Sequence, residues 1–178
     1  MLKHRKNYPC VLSVYPTIRG YSYVLFTAPY SLQDWGSRHI KKDVGSAKSI
    51  ESVNDMLARY RPDVLVLEDT AERGTKRTLR VKRIAKALGP TAANLSIEVA
   101  YVSRKSVRSA FAFFGAVSKQ DIARVIAEKM DALALRMPKE RSAWQAQDPR
   151  MALFDAASRG LTYYYQLEEV RDRAGYGT

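Results

Sequence analysis

The sequence predicts an α/β domain: a five-stranded mixed sheet, made of a three-strand antiparallel meander and two parallel strands, flanked by helices. Residues 10–40 alternate β-rich runs with turn residues, which indicates the meander. Two later apolar runs each follow a segment with apolar residues at helical spacing, as expected for strands joined by crossover helices. The 178 residues, 46% hydrophobic and 27% charged, suit one globular domain with a sizeable core.

The meander is predicted from turn residues between short runs of strand-forming side chains. A strand over 10–15 and a strand over 21–26 are separated by the break from Pro16 to Gly20. A third strand over 32–40 ends before Gly45 and Ser46. Strands joined by such short connections are expected to be antiparallel neighbours.

Helices are predicted to alternate with the two parallel strands. Ser46 caps a helix that ends at Tyr60, and the apolar run 63–67 then reads as a strand buried on both faces. A second helix over 75–88 ends at Gly89 and Pro90, and a fifth strand covers 97–102.

The C-terminal part is predicted to be helical. A short helix follows Ser103, a long helix covers 118–137, and a polar loop covers 138–147. The closing helix begins at Asp148 and Pro149, a cap residue followed by a first-turn proline, and reaches about residue 166. We therefore divide the chain into a basic tail (1–9), the domain (10–167) and a frayed tail (168–178).

The charge balance favours a polyanionic partner. Thirty Lys and Arg residues against 18 Asp and Glu give a formal net charge of +12. Nucleic acid, DNA or RNA, is the leading candidate; an anionic membrane surface and a generally basic surface are the alternatives.

Cys10 is the only cysteine, which predicts a reducing cytoplasm, and no apolar run reaches the roughly 20 residues of a membrane span. His4 and His39 have no partner spacing and are expected at the surface.

Basic residues concentrate in two segments. On a helical projection, four cations of the second helix share one side, which favours phosphate contacts over the alternative of a merely solvated face. The candidate nucleic-acid-binding residues are Lys76, Arg77, Arg80, Arg83, Lys86, Arg104, Lys105 and Lys119.

Four stretches, in order, resemble RuvC-type Holliday junction resolvases of the ribonuclease H-like superfamily. They are VLSVYPTIRGYSYVLF (11–26), DVLVLEDT (63–70), AYVSRKSVRSAFAFFGAVSKQDIARVIAEKM (100–130) and MALFDAASRGLTYYY (151–165). The resemblance implies the ribonuclease H-like fold and a structure-selective endonuclease that uses two Mg²⁺ or Mn²⁺ ions held by four carboxylates. It also implies branched DNA as the partner and a homodimer.

The resemblance carries over only part of the acidic site. Glu68 matches the central-strand acid and Asp155 an acid of the closing helix, so both are candidate catalytic residues and metal ligands. Tyr15 falls where the family has an aspartate, and a phenol is a poor Mg²⁺ ligand at neutral pH. The second closing-helix acid falls on Ala152 or Ser158; Asp148, two helical turns before Asp155, is the candidate third ligand or a plain N-cap.

Three functions therefore stay open. The first is a metal-dependent endonuclease for branched DNA, with Glu68, Asp155 and Asp148 at its site. The second is a nucleic-acid-binding module on the same fold that has lost cleavage, and the third an RNA-processing or mobile-element protein. Asp69 and Asp34 are read as turn and strand-edge acids. Phe111, Phe113 and Phe114 are read as a dimer interface or as core.

Overall fold

The computed structural model describes residues 7–41, 45–73, 76–140, 142 and 146–175. Its sheet has five strands: β1 (Val11–Thr17), β2 (Gly20–Ala28), β3 (Ser31–His39), β4 (Val64–Glu68) and β5 (Glu98–Val102). They lie in the order β3-β2-β1-β4-β5, antiparallel at β3-β2 and β2-β1 and parallel at β1-β4 and β4-β5. The predicted fold class is confirmed.

Six helices cover both faces of this sheet in the described residues: α1 (Gly45–Tyr60), α2 (Leu79–Asn94), α3 (Arg104–Ala112), α4 (Lys119–Lys129), α5 (Asp131–Ala134) and α6 (Met151–Arg173). Alternate residues of β1 and β4 point to opposite faces. Val11, Val64 and Val66 pack in a core with α3, α4 and α6, whereas Leu12 and Leu65 pack in a second core with α1 and α2.

Helix α2 differs from its predicted bounds at both ends. It begins at Leu79, where the Thr78 side chain caps it by accepting a hydrogen bond from the Val81 N–H, and it continues through Gly89 and Pro90 to Asn94. A proline removes one helical hydrogen bond, but the following Ala92 is completely buried in the core. Burial of the last turn keeps the chain helical beyond the predicted stop.

The long helix predicted over 118–137 is wrong, because the chain leaves helical geometry at Met130. The backbone there is extended (φ −138°, ψ 87°), which separates α4 from α5. Met130 and Leu133 are both buried in the core.

Helix α6 lies unusually close to the sheet. The buried Ser13 hydroxyl of β1 donates a 2.7 Å hydrogen bond to the Ala156 carbonyl, and a Cβ at Gly160 would lie 2.5 Å from a ring carbon of Phe26. The helix begins at Met151, not at Asp148, and ends at Arg173, beyond the predicted residue 166. These contacts fix α6 over β1 and β2, so that Asp155 of α6 lies near Glu68 at the end of β4.

The aromatic residues of the strands and of α3 separate into core and surface. Tyr21 and Tyr23 are buried. Phe111 is core rather than interface, Phe114 is half-buried, and Phe113 is 89% exposed. No helix in the described part of the chain is long and apolar enough to cross a membrane.

Candidate nucleic-acid site

Strand alternation brings Tyr15 and Glu68 to one place. Strands β1 and β4 are parallel neighbours with Ser13 paired to Val66, so residues two positions further along each strand lie on the same face. That face is the one α6 covers. Glu68 is the last residue of β4, at the carboxyl edge of the sheet where α/β folds bind ligands.

A buried arginine joins the two candidate acids. Arg159 Nη2 lies 2.8 Å from Glu68 Oε1, and its Nη1 lies 3.7 Å from Asp155 Oδ1 and donates a 2.9 Å hydrogen bond to the Asp155 carbonyl. The side chains of Arg159, Glu68 and Asp155 are 4%, 7% and 9% exposed. The two acids predicted from sequence therefore converge, with a guanidinium between them.

Two more cations complete this arrangement. Arg77 Nε lies 2.8 Å from Glu68 Oε2, and Lys119 Nζ donates a 2.8 Å hydrogen bond to Asp155 Oδ2. We call Glu68, Arg77, Lys119, Asp155 and Arg159 the ion-pair cluster. Its three cations outnumber its two carboxylates, so the cluster has a formal charge of +1.

Tyr15 packs against all three cations. Its ring centroid lies 4.6 Å from Arg77 Cζ, 4.7 Å from Arg159 Cζ and 5.8 Å from Lys119 Nζ. Burial, followed by the nearby Asp155 carboxylate, raises the pKa of the Tyr15 phenol above its ordinary value, so the hydroxyl remains protonated. Cation–π contact explains why an aromatic residue is compatible with this position.

The ion-pair cluster opens onto a groove of about 840 Å³. Tyr15, Arg77 and Asp155 line its floor, and strands β1, β2 and β3 together with the segment before α6 form its walls. Its charged lining comprises Arg19, Arg38, Arg77, Lys139 and Arg150 against Glu140, Asp148 and Asp155. Cations are thus in excess along the groove.

A second, small pocket of about 20 Å³ shares Asp155 with the groove. Arg104 and Arg108 of α3, Lys119 of α4 and Arg159 of α6 line it. Two of the cations predicted to contact nucleic acid, Arg104 and Lys119, therefore lie beside the ion-pair cluster.

Solved structures similar to this chain include Holliday junction resolvases. RuvC from Thermus thermophilus in complex with a Holliday junction substrate matches with a TM-score of 0.63 and 15% identity, over 91% of this chain and 97% of the other. Fowlpox virus resolvase in complex with Holliday junction DNA matches with a TM-score of 0.52 and 18% identity, over 88% and 99%. No family model and no curated protein matches the sequence.

The chain has the RuvC-like resolvase fold. At these identities the likeness establishes the fold alone, and the chemistry has to be argued from the side chains. On this fold, Tyr15, Glu68 and Asp155 meet as the sequence resemblance implied.

Asp148 does not complete an acidic site on the RuvC-like fold. It precedes α6 and forms an exposed ion pair with Arg150, whose side-chain hydrogen bonds lower the pKa of the Asp148 carboxyl. It lines the groove but does not join Glu68 and Asp155 in a metal-binding group; no group of three or more His, Cys, Asp or Glu with that geometry exists in the described residues. The expected two-helical-turn alignment fails because the chain is not yet helical at Asp148.

The donor set at this position does not fit a two-ion centre. Two divalent ions need several hard oxygen ligands converging on one point. Here two carboxylates converge, and each already contacts two cationic side chains. A guanidinium offers only N–H donors and no acceptor atom, so Arg159 cannot become a ligand. Asp148, the expected third ligand, does not join Glu68 and Asp155, and the remaining position is the protonated phenol of Tyr15.

Other residues singled out in the sequence have structural roles. Asp69 accepts a 2.9 Å hydrogen bond from the Ala71 N–H and is a turn acid, as predicted. Asp34 accepts hydrogen bonds from Tyr23 and Tyr60 and links β3 to β2 and α1. His39 is exposed at the groove, whereas His4 lies outside the described residues.

The predicted cations of the second helix lie in two environments. Lys76, Arg83 and Lys86 are exposed, and Arg80 is half-buried. Arg77 precedes α2 and points into the ion-pair cluster, where its Nη2 also donates a 2.6 Å hydrogen bond to the Pro16 carbonyl. Lys105 is exposed on α3.

Sequence reasoning missed Arg159, the residue that organises the site. The signal was present: an arginine four residues after Asp155, within the run LFDAASRGL, in which Ser158 is the one other polar residue. Residues four apart share a helix face, and a charge on a buried face requires a partner. An arginine at that spacing predicts an ion pair with Asp155.

Proposed function

We propose that this protein binds branched DNA and does not hydrolyse it by the two-ion route. The observation that carries the proposal is the ion-pair cluster, in which three cations surround the two acids that the resemblance assigns to metal binding. The RuvC-like fold and the cation-rich groove support nucleic-acid binding. The same cluster argues against metal-assisted cleavage.

Binding to DNA would rest mainly on phosphate contacts. Arg19, Arg38 and Arg150 line the groove beside the cluster, and Arg83 and Lys86 are exposed on α2. Each cation that neutralises a phosphate releases a counterion, so affinity should fall steeply with salt. Such contacts fix the position of DNA on the protein without reading its sequence.

Branched DNA is the preferred substrate class because two solved resolvases of this fold hold Holliday junction DNA. Duplex DNA offers the same phosphates, so the structural preference must come from the shape of the groove. RNA carries the same backbone charge and becomes an outcome of the test rather than a second proposal.

The test compares binding and cutting on matched substrates. A four-way junction, a duplex, a single strand and an RNA duplex of one sequence are titrated in EDTA, and each is then incubated with Mn²⁺. We expect the junction to bind about tenfold more tightly than the duplex, equivalent to about 1.4 kcal/mol of additional contact. No cleavage products are expected.

Glu68→Gln is the matched control for cleavage. Manganese-dependent cutting that Glu68→Gln abolishes would contradict the proposal and favour the endonuclease function. Equal affinity for junction and duplex would contradict the branched-DNA assignment, and tighter binding to the RNA duplex would transfer the proposal to RNA.

A further inference from the structure

We infer that Tyr15, Arg77 and Lys119 together bind one backbone phosphate of nucleic acid directly, with no divalent ion between protein and phosphate. The inference rests on the proposed function and specifies a phosphodiester position beside Asp155, which lines both the groove that contains Tyr15 and Arg77 and the second pocket that contains Lys119. The donors that the ion-pair cluster leaves unused carry the argument.

The cations of the cluster have N–H donors that its two carboxylates do not occupy. Arg77 and Lys119 are the accessible cations, with side chains 21% and 33% exposed, whereas Arg159 is 4% exposed. Lys119 has three ammonium donors and contacts one carboxylate oxygen. Arg77 Nε lies 2.8 Å from Glu68 Oε2 as an ion pair without hydrogen-bond geometry, and Nη2 donates to the Pro16 carbonyl; among the described residues, no hydrogen bond involves Nη1.

The Tyr15 hydroxyl supplies a neutral donor on a ring whose centroid lies 4.6 Å from Arg77 Cζ and 5.8 Å from Lys119 Nζ. In the described part of the chain it has no hydrogen-bond partner, and Tyr15 lines the groove together with Arg77. The raised pKa of the phenol keeps the proton on the oxygen, so the group donates to an anion. Tyrosine hydroxyls are among the side-chain groups that commonly contact DNA phosphates.

The charge of the site matches the proposed occupant. Three cations and two carboxylates leave a formal charge of +1, and a phosphodiester carries one negative charge. A neutral assembly then forms in a partly buried setting, where an uncompensated charge would be costly. A divalent ion would instead add two positive charges next to Arg77, Lys119 and Arg159.

The test measures binding of a four-way junction without terminal phosphates. Fluorescence anisotropy is recorded in EDTA and in Mg²⁺ at equal ionic strength for the wild type, Tyr15→Phe and Lys119→Gln. Tyr15→Phe removes only the hydroxyl and keeps the ring that the cations contact. The matched controls are Tyr101→Phe on exposed β5 and Lys129→Gln at the end of α4, both outside the groove lining.

We expect wild-type affinity to be the same in EDTA and in Mg²⁺. Tyr15→Phe should weaken binding about tenfold, as expected for the loss of a hydrogen bond to a charged group. Lys119→Gln should weaken it at least as much and lower the slope of log K against log salt by about 1. Both controls should bind like the wild type.

A comparison of the junction with and without 5′-phosphates tells whether the bound phosphate belongs to the DNA backbone or to a strand end. Adding 5′-phosphates to the same junction should leave the Tyr15→Phe defect unchanged. A defect that appears only with 5′-phosphorylated DNA would overturn the assignment to a backbone phosphodiester.

The failures of the two proposals are distinguishable. If the wild type binds the junction and both site variants bind as tightly as the wild type, the phosphate site is wrong and the proposed function stands. Wild-type binding that requires Mg²⁺ would also overturn the phosphate site. If wild type binds no nucleic acid, the proposed function is wrong. A titration with inorganic phosphate then decides the site: a shift of the Arg77 guanidinium resonances in the wild type would support it, and unchanged resonances would overturn it.

Discussion

Arg159 is the residue on which the site depends. It is buried between Glu68 and Asp155, so its removal leaves two carboxylates inside the protein with less compensation. Losing one partner of a buried ion pair costs about 3–5 kcal/mol, far more than the pair contributes over an apolar replacement. We therefore expect Arg159→Met to lower the free energy of unfolding by about that amount, as measured by urea denaturation.

Two further variants make this prediction specific. Arg173→Met removes an exposed ion pair with Glu169 and should change stability little. The double change Glu68→Gln with Arg159→Met should be more stable than Arg159→Met alone, since one buried charge is then gone. If Arg159→Met is as stable as the wild type, the described ion-pair cluster is incorrect.

At the residue scale, the sequence predicted that these positions meet but not which cations pair with the two acids. Glu68, Asp155 and Tyr15 were identified from the resemblance to RuvC-type resolvases, and they do converge. Their partners come from distant segments: Arg77 from before α2 and Lys119 from the start of α4. Pairing across such distances depends on three-dimensional packing, which periodicity does not encode. The Arg159–Asp155 pair was local and could have been found.

At the scale of elements, the close approach of α6 to the sheet determines where Asp155 and Arg159 lie. Gly160→Ala places a Cβ 2.5 Å from a ring carbon of Phe26, which forces the helix and strand apart. We expect a loss of about 1–3 kcal/mol in the free energy of unfolding, measured by thermal or urea denaturation.

Gly89→Ala in α2 is the matched control for Gly160→Ala. Its Cβ would meet only the Tyr101 hydroxyl oxygen, at 3.2 Å. Alanine also favours a helix over glycine by about 1 kcal/mol, so this variant should be neutral or stabilising. Equal destabilisation by both changes would contradict the packing described for α6.

A second link between elements predicts a pH dependence. Asp34 of β3 accepts hydrogen bonds from Tyr23 of β2 and Tyr60 of α1 and from the Trp35 N–H. Burial alone would raise the pKa of Asp34, but these hydrogen bonds outweigh it and lower the pKa. A lowered folded-state pKa contributes stability above the unfolded value of about 3.9, and that stability is lost as the pH falls through the folded value.

Asp34→Asn should therefore be less stable than the wild type at pH 7, by about 1 kcal/mol, with the difference shrinking below pH 3. Denaturation at both pH values gives the comparison. A difference that is the same at pH 7 and below pH 3 would show that the carboxylate form of Asp34 is not what Tyr23 and Tyr60 bind.

Element boundaries were predicted less well than element types. Every strand was found, because turn residues and apolar runs mark them locally. One error occurred where burial overrides a local stop, because α2 runs through Pro90 to a buried last turn. Helix α6 also extends to Arg173, although its last turns are mostly exposed. The opposite error occurred at Met130, where the backbone is extended although the sequence keeps helical periodicity.

At the scale of the whole molecule, the formal charge of +12 predicts salt-dependent binding. Arg83 and Lys86 are exposed on α2 and can contact phosphates outside the groove. Neutralising both, as Arg83→Gln with Lys86→Gln, should reduce the slope of log K against log salt by about 2. An unchanged slope in anisotropy titrations would exclude α2 from the interface.

Dimer formation remains a prediction at this scale. The exposed Phe113 follows α3, and Val117 is also exposed in the loop before α4. Sedimentation of the purified chain gives the oligomeric state, and Phe113→Ser should weaken a dimer if this loop forms its interface.

The central claim is that protein cations, not metal ions, neutralise Glu68 and Asp155. Crystals soaked in Mn²⁺ and measured by anomalous diffraction test it most directly. We predict no manganese peak between Glu68 and Asp155, with Arg159 still 2.8 Å from Glu68 and Lys119 2.8 Å from Asp155. A manganese ion coordinated by both carboxylates, with Arg159 and Lys119 displaced, would contradict the account.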